Sequence, residues 1–380
     1  MDSTQVAEKN VFVVGSVGRV DGWPFMATNE AFKKTGNTGN LAFFTAVQRH
    51  LESYTNIDFH SRVGASGDVA VIPCANHIGE HAGNRARYEF CNDFPGSVVA
   101  IGLGAQMALG GKAPKLSNDT LAFMEALASK SATGAANIAV RGESTRQVFE
   151  KYGLEKSVTV LGCPSLFLNP RRDLGRYIQG RINPEPKKIA IAAGSPNPQG
   201  KYGTTEKKLV RLLEKHSGQY IVQHPINSIK LARGEAGQVP EPFIEKYRDA
   251  IKPAMPLNRF TRWFERRSRA FFDIDSWIDF LSGYDLLVGT RIHGCMMAIQ
   301  AGKPALCLVH DSRTKEMCQT MKIPFLEIGK DDLSCLDNGD FGFLAEYDWA
   351  GFDANREAIR ARYIEFLQTN QVPASPYLAS

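Results

Sequence analysis

The chain has 380 residues, 43% hydrophobic and 22% charged, with a formal net charge of +5. That is the composition of a soluble globular protein, long enough for two domains at about 150 residues each. So mild a charge, without a concentrated Lys/Arg tract, argues against nucleic acid as a partner and leaves anionic small molecules or an anionic membrane surface. No apolar run reaches the ~20 residues that a spanning helix needs. Seven cysteines form an odd set without a CxxC pair, several of them inside apolar runs, which suits reduced thiols and neither a disulfide framework nor a thiolate metal site. The opening "MDSTQVAEKNVFVVG" puts acidic and polar residues where a signal peptide has its basic region and apolar core, so the expected location is cytoplasmic.

In chain order, "NVFVVG" reads as a first strand and "LAFFTAVQRHLES" (41–53) as a helix with apolar residues at helical spacing. "DVAVIPCA", "SVVAIGLG", "NIAVRG" and "VTVLGCP" follow as strands, with helices expected over 116–129 and 143–152. "NPRRDLGRYIQGRINPEPKK" is polar, basic and proline-containing, and reads as a linker. Alternation then restarts with "IAIAAGSP", "QYIVQHP", "RAFFDI", "YDLLVGT", "PALCLVH" and "FLEIG" as strands. "TTEKKLVRLLEKHSG", "DSWIDFLSG", "HGCMMAIQAG" and "SRTKEMCQTMK" are the helices among them. Strands alternating with helices predict parallel sheets of α/β type. The expected architecture is two doubly wound, Rossmann-like domains, 1–175 and 187–330, joined by a linker over 176–186. A tail, 331–380, carries the helix "NREAIRARYIEFLQTN", expected to pack back on the junction. Ligands of such sheets bind outside the carboxyl ends of the strands, which puts the expected site in a cleft between the domains.

The segment "VGTRIHG" places Arg291 and His293 where a strand ends and a helix begins. Helix N–H groups and dipole would face the same spot, Ile292 and Gly294 would offer backbone, and Arg could grip two oxygens of a phosphate or carboxylate. The bland alternative is an arginine paired with a carboxylate and a backbone-bonded histidine. Arg141, ending "NIAV" before Gly142, occupies the equivalent place in the first half, as a second anion contact or as a structural cation. The loop "KKTGNTGN" offers Asn37, Gly39 and Asn40 as an anion- or sugar-binding turn, or as a loop capped by Asn40. "GLGAQ" (102–106) could line a cleft with backbone donors or simply turn. His77 and His81 have a metal-compatible spacing, but Gly79 interrupts it and no third ligand is evident; no metal is expected. "RFTRWFERRSR" (259–269) reads as a solvated face or loop, with acceptor or membrane-surface contact as the second reading. No G-x-S-x-G, P-loop or H-E-x-x-H occurs.

"RGESTRQVFEKYGL" with "VLGCPSLFLNP", and above all "GTRIHGCMMAIQAGKPALCLVHDSRTKEMCQTMKIP", resemble the polysaccharide pyruvyl transferase family over most of residues 10–328. The resemblance implies a GT-B-like pair of Rossmann-like domains facing across a cleft. It implies transfer of a pyruvyl group from phosphoenolpyruvate, as co-substrate and without a cofactor, to two hydroxyls of a glycan or lipid-linked oligosaccharide, giving a pyruvate ketal. It places the family's donor-binding arginine on Arg291, its histidine on His293 and its N-domain arginine on Arg141. Glu143 and Glu316 are candidates only by position for the base, and for Glu316 a salt bridge with Arg313 or the helix end is the favoured alternative. The residues alone also fit a nucleotide-sugar glycosyltransferase, with Glu316 on a ribose, or a non-catalytic sugar- or anion-binding protein; they leave the oligomeric state open.

Overall fold

A computed structural model describes residues 10–79, 83–106, 114–194 and 200–379. The chain divides into two compact units: Met1–Ser16, Ala46–Pro164 and Ala358–Ser380 form the first, Val17–Thr45 and Ser165–Glu357 the second.

The first unit is built on six parallel strands: β1 (Val11–Val14), β2 (Thr55–Ile57), β3 (Val69–Pro73), β4 (Ser97–Leu103), β5 (Ile138–Val140) and β6 (Val158–Val160), in the order β2-β1-β3-β4-β5-β6. All five residues of β3 and six of seven in β4 are buried, the pattern of strands covered on both faces. The second unit carries β7 (Ile189–Ala192), β8 (Gln219–Ile221), β9 (Ser268–Arg269), β10 (Leu286–Gly289), β11 (Ala305–Val309) and β12 (Phe325–Glu327), also all parallel, in the order β12-β11-β10-β7-β8-β9. Counted within the unit this is 6-5-4-1-2-3, the Rossmann order. Crossovers leave β7 in one direction and reach β10 in the other, so right-handed connections put helices on opposite faces and open a crevice where the order reverses, beyond the carboxyl ends of β7 and β10. Both sheets are the doubly wound, Rossmann-like sheets expected.

Every strand expected from the sequence is present, and β2 is an addition. Its residues Thr55, Asn56 and Ile57 form a short edge with two of three exposed, too polar for an apolar-run reading to find. "RAFFDI" contributes only its first residue to β9, and the chain then leaves the sheet. The linker-like segment belongs to the second unit and contains the helix Leu174–Gln179. Leu174 and Ile178, four apart, bury one face of it, and the Gly175 N–H donates to Asp353 Oδ1 at 2.6 Å. "RFTRWFERRSR" is a helix, Leu257–Arg267, in place of a loop: Phe260 and Phe264, again four apart, are buried and make the helix worth forming.

Among the described residues no helix is long and apolar enough to cross a membrane, and no group of three or more His, Cys, Asp or Glu is placed to hold a metal. His77 meets Arg87 Nη2 at 3.0 Å; His81 lies outside the described residues.

Candidate active site

The helix Ile292–Gln300, "IHGCMMAIQ", is buried on all sides except at His293, so the sequence that begins it can expose only Arg291 and His293. Gly289 pairs with Ala192 and has no room for a side chain, since a Cβ there would lie 2.3 Å from Ala192 O. Arg291 is the N-cap residue in extended conformation, and the helix starts at Ile292. His293 therefore sits in the first turn of that helix. Ile292 points its side chain into the core. Gly294 is required by packing: a Cβ would meet Ala192 Cβ at 2.5 Å, so glycine lets the helix close on β7.

Around Arg291 gather the residues that follow four adjacent strands. Gly194 follows β7, Gln223 and His224 follow β8, Thr290 precedes Arg291 after β10, and His310, Asp311 and Arg313 follow β11. Arg291 is partly buried, and among the described residues no hydrogen bond or ion pair holds its guanidinium. Burial pushes its pKa down, the like charge of Arg313 pushes it further, and Glu206, Tyr247 and Tyr220 push back. Arg313 Nη2 pairs with Asp311 Oδ2 at 3.2 Å, while its Nε is buried with no hydrogen-bond partner among the described residues. Asp311 feels burial raising its pKa, but Arg313, His310 and the N–H and hydroxyl of Thr314 outweigh it and hold the carboxylate low. For His224, burial and then Arg291 lower the pKa and favour the neutral ring. The crevice thus holds two guanidiniums that repel each other, at the start of a helix whose dipole adds to their field. An anion reverses each of those unfavourable terms.

The loop before the first long helix closes one side. Asn37 Oδ1 accepts the Gly39 N–H at 2.9 Å and caps a 3-10 turn over Thr38–Asn40, so the capping residue is Asn37 and not Asn40. The Thr38 N–H donates to Gln223 O at 3.2 Å. A Cβ built on Gly39 would lie 2.5 Å from Gln223 Oε1 and 3.2 Å from His293 Nδ1. Gln223 is 2% exposed and its Nε2 is buried without a partner among the described residues. Phe43 stands 5.8 Å from the His293 ring. Gly39→Ala should push Gln223 and His293 apart at a cost of about 1–3 kcal/mol. Affinity of the crevice for an anionic ligand should fall at least tenfold with the circular-dichroism spectrum unchanged, as read by calorimetric titration.

Beneath Gly194 lies Glu206, 4% exposed, from the helix Gly200–Lys215. Its Oε1 accepts the Gly194 N–H at 3.0 Å and the Tyr220 hydroxyl, and Tyr247 donates on to Tyr220 at 3.5 Å. A Cβ on Gly194 would lie 2.5 Å from Glu206 Oε2 and 2.7 Å from Thr290 Oγ1, so both oxygens border the same point.

Arg141 belongs to the first unit. It is 1% exposed, and its guanidinium donates to Gly102 O at 2.7 Å, Cys74 O at 3.1 Å and Asn76 Oδ1 at 3.1 Å, tying together the ends of β3, β4 and β5. "GLGAQ" is the backbone that receives it. Glu143, also in the first unit, is exposed and paired with Arg146 at 2.6 Å. Glu316 is 3% exposed on the helix Ser312–Met321; Arg313 pairs with Asp311 instead of with it.

The model of the polysaccharide pyruvyl transferases matches residues 37–312, from the Asn37 loop to the start of the helix after β11. The chain belongs to the polysaccharide pyruvyl transferase family. No curated protein sequence matches it. Solved structures to which it is similar include the S. aureus MnaA–UDP complex, at 11% identity over 97% of this chain and 99% of that one, TM-score 0.45. Others are the Methanocaldococcus jannaschii UDP-GlcNAc 2-epimerase with UDP-GlcNAc and UDP (11%, 94% and 99%, TM-score 0.44) and Anabaena Alr3699/HepE with UDP and glucose (10%, 95% and 100%, TM-score 0.45).

The sequence singled out Arg291, His293 and the Asn37–Asn40 loop, and the second unit brings these together. Gln223, His224, Thr290, Glu206 and Arg313 are further members of the site that the sequence did not single out. Gln223 and His224 carry a signal, two polar residues directly after "QYIV". Glu206 carries another: it stands where positions 209, 210 and 213 continue a buried stripe, so a carboxylate occupies an apolar position.

Proposed function

We propose that the crevice of the second unit binds phosphoenolpyruvate and that the protein transfers its pyruvyl group to two hydroxyls of a sugar, in a glycan or lipid-linked oligosaccharide, on the cytoplasmic side. The observation that carries this reading is Arg291, a desolvated cation without hydrogen bond or ion pair among the described residues, with Arg313 beside it. Phosphoenolpyruvate has a phosphate and a carboxylate to answer both. In the proposal Arg291 grips the phosphate with the help of His293 and the helix start, Arg313 adds charge on the same side, and Arg141 keeps the strand ends of the first unit in place.

A proton adds to the methylene carbon, the double-bond pair forms the new C–H bond, and an oxocarbenium-like centre remains. A sugar hydroxyl attacks it, the C–O bond to phosphate breaks, and a second hydroxyl closes the ketal. Of the two hydroxyl protons one replaces that given to carbon and the other leaves with phosphate. His293 supplies an imidazole that can both contact phosphate and move a proton. The guanidiniums stabilise charge on the departing phosphate. No cofactor is needed.

A thermal-shift titration of phosphoenolpyruvate against UDP and GDP tests the reading. At a hundred times its dissociation constant a ligand stabilises by about 2.7 kcal/mol. A shift with phosphoenolpyruvate alone is expected. A shift with a nucleotide alone would make the protein a nucleotide-sugar glycosyltransferase, and binding without turnover on any acceptor glycan would leave a binding protein.

A further inference from the structure

We propose that one face of the second unit docks on an anionic phospholipid surface, through an exposed phenylalanine and a stripe of arginines. Phe25 is 96% exposed at the tip of the short 3-10 turn Trp23–Phe25. The turn is fixed rather than loose. Arg233 Nη2 donates to Trp23 O at 3.1 Å and to Met26 O at 2.6 Å, the Val20 N–H donates to Phe272 O at 3.1 Å, and Trp23 packs on Phe272 at 5.9 Å. Beyond the turn, Glu235 accepts from the N–H and the hydroxyl of Thr28 at 3.1 and 2.7 Å. A scaffold this well tied holds an apolar ring out in water.

The arginine stripe lies on the helix that packs beside the segment carrying Arg233. Gly234, the neighbour of Arg233, lies against Glu265, which a Cβ there would approach to 3.0 Å. Glu265 belongs to the helix Leu257–Arg267, where Arg259, Arg262 and Arg266 are exposed and fall within about 60° of one another at helical spacing. Phe260 and Phe264 take the opposite face into the core. Arg269 continues the exposed basic surface just past the helix. Among the described residues none of these four arginines makes an ion pair, although surface arginines elsewhere in the chain commonly do. Since the helix's own apolar face is spent on the core, it cannot insert. Its contribution is electrostatic, and the one apolar group left for the bilayer interface is Phe25. An aromatic tip beside a basic stripe fits lipid headgroups over an acyl boundary; a soluble polyanion would meet the arginines and leave Phe25 wet.

The inference stands on this surface and not on the donor reading, so its test needs no substrate. The full chain is sedimented with vesicles of phosphatidylcholine alone and of phosphatidylcholine with phosphatidylglycerol, and separately titrated with heparin as a soluble polyanion. The wild type should partition onto the anionic vesicles only, less so as salt is raised. An arginine near such a surface contributes about fivefold, so Arg259→Gln, Arg262→Gln and Arg266→Gln together should lower the partition coefficient about a hundredfold. Phe25→Ser should lower it about tenfold or more. All variants should melt with the wild type, since the exchanged groups are exposed. Absence of wild-type binding to anionic vesicles overturns the proposal, as does full binding by both variants. Tight heparin binding with no vesicle binding overturns it too and makes the stripe a polysaccharide contact.

Discussion

Arg291→Met is expected to remove the thermal shift given by phosphoenolpyruvate while leaving the unliganded protein at least as stable as the wild type. The two halves of this expectation have one cause. Arg291 has been taken largely out of water without a carboxylate at ion-pair distance among the described residues, and Arg313 repels it. Desolvating a charge without repayment is unfavourable to folding, and exchange for an apolar side chain of similar length removes that cost. The same charge is repaid when an anion arrives. Truncating one member of a buried charge pair costs about 3 kcal/mol or more, over a hundredfold in affinity. Melting curves with and without phosphoenolpyruvate decide the matter. A destabilised apo protein would mean that Arg291 has an internal partner and is structural, and a retained shift would move the donor elsewhere. Activity lost without any loss of binding would put Arg291 in the chemical step alone.

That Arg291 could be picked out from sequence, and Arg313 could not, has a physical reason. A strand that ends in Gly289 and continues as Thr-Arg-Ile-His-Gly puts a cation where chain topology opens a crevice, and the apolar run "CMMAIQAG" after it shows that the helix must be buried. Both facts are local. Arg313 also lies just past a strand, but "HDSRTKE" offers it acidic neighbours on both sides, and only the fold shows that Asp311 takes Nη2 while Nε stays without a partner among the described residues. Gln223 reaches the site only because β8 lies beside β7, and Gly39 because the segment Val17–Thr45 folds with the second unit. Such neighbours are set by strand order and not by spacing along the chain. For the secondary structure the balance is different: the long buried strands announce themselves by apolar runs, whereas β2 is a three-residue polar edge and Leu257–Arg267 hides two buried phenylalanines among arginines.

Glu206 gives the second large effect, and its two substitutions should move stability in opposite directions. Glu206→Ala strands the Gly194 N–H and the Tyr220 hydroxyl in a buried place, at about 1–3 kcal/mol for each unsatisfied group. Glu206→Gln keeps an acceptor for both and cannot ionise. Burial raises the Glu206 pKa above its ordinary 4.5, against the lowering by Tyr220, the Gly194 N–H and Arg291. The folded protein therefore holds this proton more tightly than the unfolded chain does. The contribution of the group is fully present below pH 4.5 and is lost as pH rises through the folded pKa. Each pH unit between those two values takes away about 1.4 kcal/mol. The difference in stability between Glu206→Gln and the wild type should accordingly grow in favour of glutamine from pH 4.5 upward, then level off. Denaturant titrations across that range measure it directly. Donor binding should follow the same proton. An anion beside Arg291 disfavours ionised Glu206, so wild-type affinity for phosphoenolpyruvate should fall as pH rises through the folded value, once the ligand's own phosphate ionisation is allowed for. Glu206→Gln should flatten that dependence. If glutamine instead binds with the pH profile of the wild type, the titrating group lies elsewhere, and Glu206 serves only to hold Gly194 and Tyr220 beneath the crevice.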